Sequence, residues 1–511
     1  MLSLMLDGFI NLFSNPMNIV MLVAAIIIGF IGGAIPGISG TMLIVVLLPI
    51  TYGMAADSAF ILLVSIYAIT AFSGAISAIL LRSPGTPEAV VTTFDGYPMA
   101  QQGQAGRALG IAIFCSVVGG VIGTICLITL TPSLAQVALS FSSPEYFALA
   151  IMGLTVVASL SGKAINKGII GVLLGLLLAV IGMDPLTGAL RYTFDNVVLT
   201  AGIELVPVII GLFALSEFLK KSSESNTSTV EKIQNVKTKI FEMEVFKIIK
   251  GTIARSSIIG LFIGILPGVG ATTASMLSYS ETIRWSKENE KDSYGKGNPK
   301  GVAASETANN AAAMGTLVPL LALGIPGGAT AAVLLGAFIL HGMQPGPMLF
   351  KTNPTLMYTI FAALLIANLS MLVFSKPFIS VFKRVTNIPY YVLGPLIVMF
   401  CVVGTFTVRN NFADIVIMFI FGLIGFTLER LNFPVATIIL GFVLGGLTES
   451  EFRRSIQMSN GDFTIFLTRP ICLGLLLFSL FMLFYPIINN YFKRRKMKLN
   501  KSNLNENLEV N

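Results

Sequence analysis

Long apolar stretches recur along the chain. They fill residues 57–81, 108–131, 145–160, 167–183, 197–219, 304–340, 355–375, 389–408, 412–428, 434–449 and 466–490. A straight bilayer crossing needs about 20 apolar residues. The stretches therefore predict about eleven spanning helices, with the shorter ones deep in the bundle or running past these bounds. Two more stretches, 19–50 and 252–280, carry a Pro-Gly in mid-run. Residues 1–15 hold no Lys or Arg, so the positive region of a cleavable signal is missing. They read instead as an amphipathic interfacial helix, taken here as residues 1–18.

Composition agrees with a lipid solvent. Of 511 residues, 54 % are apolar and 11 % charged, against roughly 25 % charged in soluble domains. The net charge of +8 sits in short basic clusters between apolar stretches, which fits loops facing anionic headgroups and not nucleic acid. Residues 220–250 hold seven lysines against four glutamates, and 284–300 hold Arg284, Lys287, Lys291, Lys296 and Lys300. Both are cytoplasmic by the positive-inside rule. The stretch between them, 252–280, then enters and returns as a re-entrant hairpin with Pro267-Gly268 at its tip. Treating 19–50 as a matching hairpin places the N-terminus outside and the Lys493–Lys496 tail inside. Arg107, Lys163, Lys167, Lys376, Lys383 and Arg384 then also fall inside.

The hairpins repeat one pattern. GFIGGAIPGISGT at 29–41 and GLFIGILPGVGAT at 260–272 share G-x-x-x-G-x-x-P-G. A second Pro-Gly follows each, in LLRSPGTPE (80–88) and LALGIPGGAT (321–330), with DGYP at 95–98 and HGMQPGP at 341–347 beyond. The topology makes the halves, 19–219 and 251–492, inverted repeats, the second with an extra span, joined by the basic linker and followed by a cytoplasmic tail at 493–511. Proline and glycine break helices in the bilayer, where breaks are tolerated only against protein or a wet cavity. Broken ends offer amides to an anion and carbonyls to a small cation such as Na⁺. The competing reading is that such residues only kink helices or pack them closely.

These strings resemble the large membrane subunit of the tripartite tricarboxylate transporters, the TctA family. The likeness runs through GGAIPGISGT with LLPIT (32–51), TTFDGYPMAQQG (92–103), GMDPLTG (182–188), ILPGVGATTASMLSY (265–279), YGKGNPKGVAASETANNAAAMG (294–315) and PLLALGIPGGATAAVLLGAFILHGMQPGP (319–347). It implies the translocating subunit of a secondary transporter in a bacterial cytoplasmic membrane. The implied partners are a small TctB-like membrane subunit and an extracytoplasmic TctC-like binding protein, importing citrate-like carboxylates on an ion gradient. No cofactor is implied beyond coupling Na⁺ or H⁺. The family pattern has Asn near position 82, where Arg82 stands here. Arg82 either binds substrate or replaces a coupling cation as a buried charge, or it reaches the cytoplasmic surface or pairs with Glu88.

The candidate substrate and cation residues are Gly37, Ser39, Gly40, Thr41, Arg82, Gly85, Thr86, Gly268, Gly270, Thr272, Asn309, Asn310, Gly327 and Gly328. Glu306 and Asn310 share a helix face with Asn309 adjacent, which suits a cavity wall or interhelical hydrogen bonds. Asp95 and Arg107 read as a structural ion pair, Trp285 as an interface anchor, and His341 as lying near the outer mouth. Cys115, Cys126, Cys401 and Cys472 lie singly in apolar runs, so no metal centre is implied. No nucleophile elbow, His-Glu-x-x-His or Gly-x-Gly-Asp pattern supports an intramembrane enzyme. A passive channel is the other alternative, and predicts pore-lining rings without paired broken helices.

Overall fold

A computed structural model describes residues 2–159, 165–184, 187–223, 240–385 and 390–484. Lys163, most of the basic linker (224–239) and the tail lie outside the described residues. Within them the chain is helical, apart from a two-stranded antiparallel hairpin pairing Gly182–Met183 with Leu190–Arg191. Almost without strands, the fold agrees with the all-α expectation, and the hairpin is a local feature of one loop. It falls on the GMDPLTG motif, whose glycines take positive φ (Gly182 118°, Gly188 72°).

The first half contains α1 (Leu2–Ser14), α2 (Pro16–Ala34), α3 (Gly40–Thr51), α4 (Ala56–Leu81), α5 (Thr92–Met99), α6 (Ala105–Ala138), α7 (Ser143–Ser159) and α8 (Ile165–Ala179). A helical stretch over 205–223 leads to the linker. The second half contains α9 (Met243–Ile265), α10 (Gly270–Trp285), α11 (Pro299–Gly315), α12 (Leu317–Leu323), α13 (Ala329–Leu340), α14 (Pro354–Val385), α15 (Tyr390–Arg409), α16 (Phe412–Arg430) and α17 (Val435–Met458). Seven helices among the described residues are long and apolar enough to cross a membrane. Several of the eleven predicted stretches are shorter or interrupted. The 304–340 stretch is three helices, and 197–219 begins with a separate turn at Val197–Thr200. In the other direction, 108–131 is the middle of a 47-residue run from Thr92 to Ala138.

The N-terminal helix is more than an interfacial strip. It ends at Asn15, whose side chain caps α2 by accepting from the Met17 amide. Gly8 lies so close to α14 that an added Cβ would sit 2.5 Å from the Tyr358 carbonyl carbon. Asn11 donates to Asp57 and Thr359.

Two helices form the centre. Residues 58–79 of α4 and 301–315 of α11 are all buried. Helix α11 is built mostly from Ala, Ser, Thr, Gly and Asn, and small-residue stripes on both neighbours grip it. An added Cβ on Gly260 or Gly264 of α9 would meet the Ala308 or Ala312 carbonyl oxygen at 2.5 Å, and one on Gly119 of α6 would meet that of Thr307 at 2.3 Å. Without a hydrophobic drive between helices in lipid, such close approach supplies the packing energy.

The helix breaks come in matched pairs. Helices α2 and α9 end on Ile35 (φ −72°, ψ 121°) and Leu266 (φ −70°, ψ 122°). Each then turns through a left-handed glycine, Gly37 at φ 88° and Gly268 at φ 77°. Helices α4 and α12 end on left-handed residues of the same geometry, Arg82 (φ 55°, ψ 17°) and Gly324 (φ 74°, ψ 17°). After each, the Pro-Gly amide returns to the half it came from. Gly85 donates to Gly74 O at 3.2 Å and Gly327 to Thr316 O at 3.3 Å, at the same sequence separation.

These returns leave no room for a side chain. A Cβ on Gly85 would lie 2.0 Å from Gly33 O, and one on Gly327 would lie 2.8 Å from Gly264 O. Gly85→Ala is therefore expected to cost about 1–3 kcal/mol by overpacking, read as a lowered unfolding midpoint of the purified protein. Gly53→Ala, with open space around it, is expected to leave the midpoint unchanged.

Candidate functional site

The matched breaks converge on one narrow slot. It is lined from the first half by Gly40, Thr41, Tyr67, Thr70, Ala71, Thr86 and Glu88, and from the second by Ala271, Asn309, Ala313 and Thr330. About 250 Å³ lies between these groups, shaped so that roughly one water-sized occupant fits. Three helices begin here: α3 at Gly40, α10 at Gly270 and α13 at Ala329. Their first amides carry partial positive charge, which favours an anion.

Polar bridges tie the two halves across the slot. The hydroxyls of Thr41 and Thr330 lie 2.7 Å apart in a hydrogen bond. Tyr67 and Thr316 share another at 2.9 Å. Asn309 donates from Nδ2 to the Ala71 carbonyl at 2.7 Å. Its Oδ1 is buried without a partner.

The structure sorts the other candidates. Ser39 caps α3 by accepting from the Met42 amide at 3.1 Å. Gly37 lies at the first break, against the Lys221 side chain. Gly268 and Gly270 form the second break, and the Gly270 amide donates to Gly327 O at 3.2 Å. Gly85, Gly327 and Gly328 are backbone-packing positions around the slot: a Cβ on Gly328 would lie 3.2 Å from the Gly270 Cα. Thr272 is half-buried and does not line the slot.

The structure decides the remaining readings. Arg82 is exposed, outside the slot, with its guanidinium 5.7 Å from the Tyr97 ring centroid. Of the readings left open for this residue the structure shows the surface one, and no buried cation stands at 82. Asn310 does not join the slot wall; its amide donates to the Glu306 carbonyl of its own helix at 3.0 Å. Glu306 is fully buried elsewhere, accepting from Thr92 and from Ser116 (2.9 Å).

Asp95 and Arg107 do not pair. Asp95 Oδ1 accepts from the backbone amides of Gly295, Gly297 and Asn298 at 2.8–2.9 Å, and Oδ2 accepts from the Tyr279 hydroxyl. Arg107 lies 3.7 Å from Glu242. Trp285 is exposed, as expected of an anchor, with Arg255 5.2 Å over its ring. His341 sits 3.3 Å from the Thr51 hydroxyl, away from the slot.

The profile of the tripartite tricarboxylate transporter TctA family matches residues 19–440, which include every slot residue. The chain belongs to the TctA family. It is thus a multi-pass membrane protein and a component of a tricarboxylate transporter, and not an enzyme. TctA proteins normally work with TctB and TctC in a tripartite system. Two curated relatives come from Agrobacterium vitis. An uncharacterized 52.8 kDa protein of the TAR-I ttuC′ 3′ region is 38 % identical over 462 residues, 90 % of this chain and 91 % of that protein. An uncharacterized protein of the TAR-II ttuC′ 3′ region is 41 % identical over 217 residues, 42 % of this chain and 89 % of that protein. No solved structure matches the chain.

Sequence reasoning missed Glu88 and Tyr67 as lining residues. Glu88 stands three residues after Gly85 and was visible only as a counter-charge to Arg82. Tyr67 lies in an apolar stretch without periodic signal. Since the slot holds Asn309 and excludes Arg82, Asn309→Leu is expected to raise the half-saturating substrate concentration for uptake at least tenfold. Arg82→Gln is expected to leave it within twofold.

Proposed function

We propose that this TctA protein is the translocating subunit of a binding-protein-dependent secondary transporter. It imports tricarboxylate or related carboxylate anions across a bacterial inner membrane, driven by a Na⁺ or proton gradient. One observation carries the reading: two pairs of helix breaks, alike in backbone geometry, meet at a single slot shared by both halves. This is the arrangement expected of inverted repeats with a midplane site. In it, helix N-termini receive the substrate carboxylate while hydroxyls and the Asn309 carbonyl receive the cation.

The polar ties between loops support the topology derived from charge. Loops assigned outside are joined by Asn11 with Asp57 and Thr359, His341 with Thr51, Arg191 and Arg453 with Asp184 and Glu449, Glu145 with Arg469, and Arg409 with Glu204. Loops assigned inside are joined by Asp95 with the 295–298 backbone, Gln102 with Lys296, Lys167 with Leu431, and Lys220 with Glu429. None of these ties pairs an outer loop with an inner one. In this reading the N-terminus is outside and the C-terminus cytoplasmic. One half moves against the other to alternate access, a small TctB-like subunit completes the membrane part, and a TctC-like protein delivers substrate.

Proteoliposomes holding the chain and its small membrane subunit, supplied with the binding protein and labelled citrate, test this. Accumulation above equilibrium under an imposed Na⁺ or proton gradient is expected. Uptake that only equilibrates, whatever the gradient, would contradict secondary transport and match a passive channel.

A further inference from the structure

Helices α9 and α10 both pack on α11. Away from it they leave between them an open groove of about 720 Å³, lined by Arg255, Ile258, Ile259, Glu281, Thr282 and Trp285. Ile258 and Phe262 on α9 and Leu277 on α10 are exposed on this face. The groove is apolar toward the hairpin tip and charged at the end nearer the basic loops. Side chains on a helix lean toward its N-terminus. On these two antiparallel arms, Arg255 therefore reaches toward the loops and Trp285 toward the tip, and they meet with the guanidinium 5.2 Å from the ring centre. The Arg255 Nε donates one turn back, to Gly251 O at 3.2 Å.

The one carboxylate in the lining is already engaged by its own helix. Glu281 accepts from the Trp285 indole at 3.0 Å and from Arg284 at 3.2 Å. Arg255 makes no ion pair among the described residues. Lys247 and Lys250 are exposed in the turns before it and add positive charge at the same end. An unpaired guanidinium at the mouth of an apolar groove suits an amphiphile with an anionic head and a hydrocarbon tail. The planar fork of arginine matches a phosphate, and tryptophan settles at the headgroup level.

The inverted repeat supplies a second argument. With Gly260 matched to Gly29, Ile258 and Phe262 fall on Ile27 and Ile31, apolar in both halves. Arg255, Glu281 and Trp285 fall on Ala24, Ile50 and Met54. The helix breaks therefore do not require the charged and aromatic set. It occurs only in the hairpin placed on the cytoplasmic side, where the leaflet carries anionic lipid.

We infer that the groove between α9 and α10 binds an anionic phospholipid of the cytoplasmic leaflet, with its phosphate on Arg255 beside Trp285 and an acyl chain along Ile258, Ile259 and Phe262. Bound there, the lipid braces from outside the two arms that carry the Gly268 break. The inference goes beyond the transport reading and takes from it only the membrane placement of this hairpin.

Trp285 is the only tryptophan of the chain, so its fluorescence reports on the groove directly. The test places the full-length chain alone in phosphatidylcholine vesicles holding rising mole fractions of phosphatidylglycerol or phosphatidylcholine brominated on the acyl chains, which quench tryptophan on contact. Half-maximal quenching is expected at a mole fraction at least fivefold lower for brominated phosphatidylglycerol. Arg255→Gln is expected to bring the two lipids within twofold of each other. Arg284→Gln, at an exposed side chain outside the groove lining, is expected to keep the preference. Should Arg255→Gln fail to fold, Arg255→Lys keeps the charge without the fork and is expected to reduce the preference at least twofold.

Equal quenching by the two lipids would overturn the inference. So would a wild-type preference in the Arg255 variants, or its loss in Arg284→Gln, which would mark a diffuse surface charge. If the small membrane subunit, reconstituted alongside, shields Trp285 from both lipids, the groove is a protein interface and the inference falls. No readout here involves uptake, so an intact lipid preference without citrate transport would sink only the transport reading.

Discussion

A polar backbone inside a bilayer must find its hydrogen bonds within the protein. The four helix breaks concentrate that demand, because each exposes amides and carbonyls that no helix satisfies. The solution is the same in both halves: the amide after the second proline closes back on the preceding helix, from Gly85 to Gly74 and from Gly327 to Thr316. Such closure is possible only where backbone meets backbone, so glycine stands on both sides at Gly33 and Gly85, and again at Gly264 and Gly327. The Gly270 amide adds a bond to Gly327 O, joining the two breaks of the second half.

The site follows from this constraint. Once the breaks are held together, three helix N-termini and the side chains beside them face one narrow space. Thr41 and Thr330 meet there from opposite halves, and Asn309 reaches from the buried α11 to the backbone of α4. The polar side chains sit where the chain needs them structurally, and the same positions give them access to a small occupant. Packing between the halves and the polar lining of the slot share residues here, so a shift of one half against the other changes both.

Much of this was legible in the sequence, because proline and glycine act on the backbone locally. The repeated G-x-x-x-G-x-x-P-G marks both first breaks, and the second Pro-Gly marks the others. Side-chain direction was less legible. Arg82 occupies the place that Gly324 holds in the second half, and only its exposure in the fold shows that its side chain leaves the slot. Asp95 has its partners two hundred residues away, as backbone amides that carry no side-chain signature. Glu306, Asn309 and Asn310 looked equivalent on a polar strip. Neighbouring helices on every side of α11 divide them, and only Asn309 faces the slot.

The most direct measurement of the central claim, that transport requires the two halves to move apart at this slot, is a crosslink across it. In a variant with Cys115, Cys126, Cys401 and Cys472 replaced, Thr41→Cys with Thr330→Cys places two thiols where the hydroxyls now lie 2.7 Å apart. Quantitative disulfide formation is predicted to stop gradient-driven uptake in proteoliposomes, and reductant to restore it. Full uptake with the crosslink complete would contradict the account.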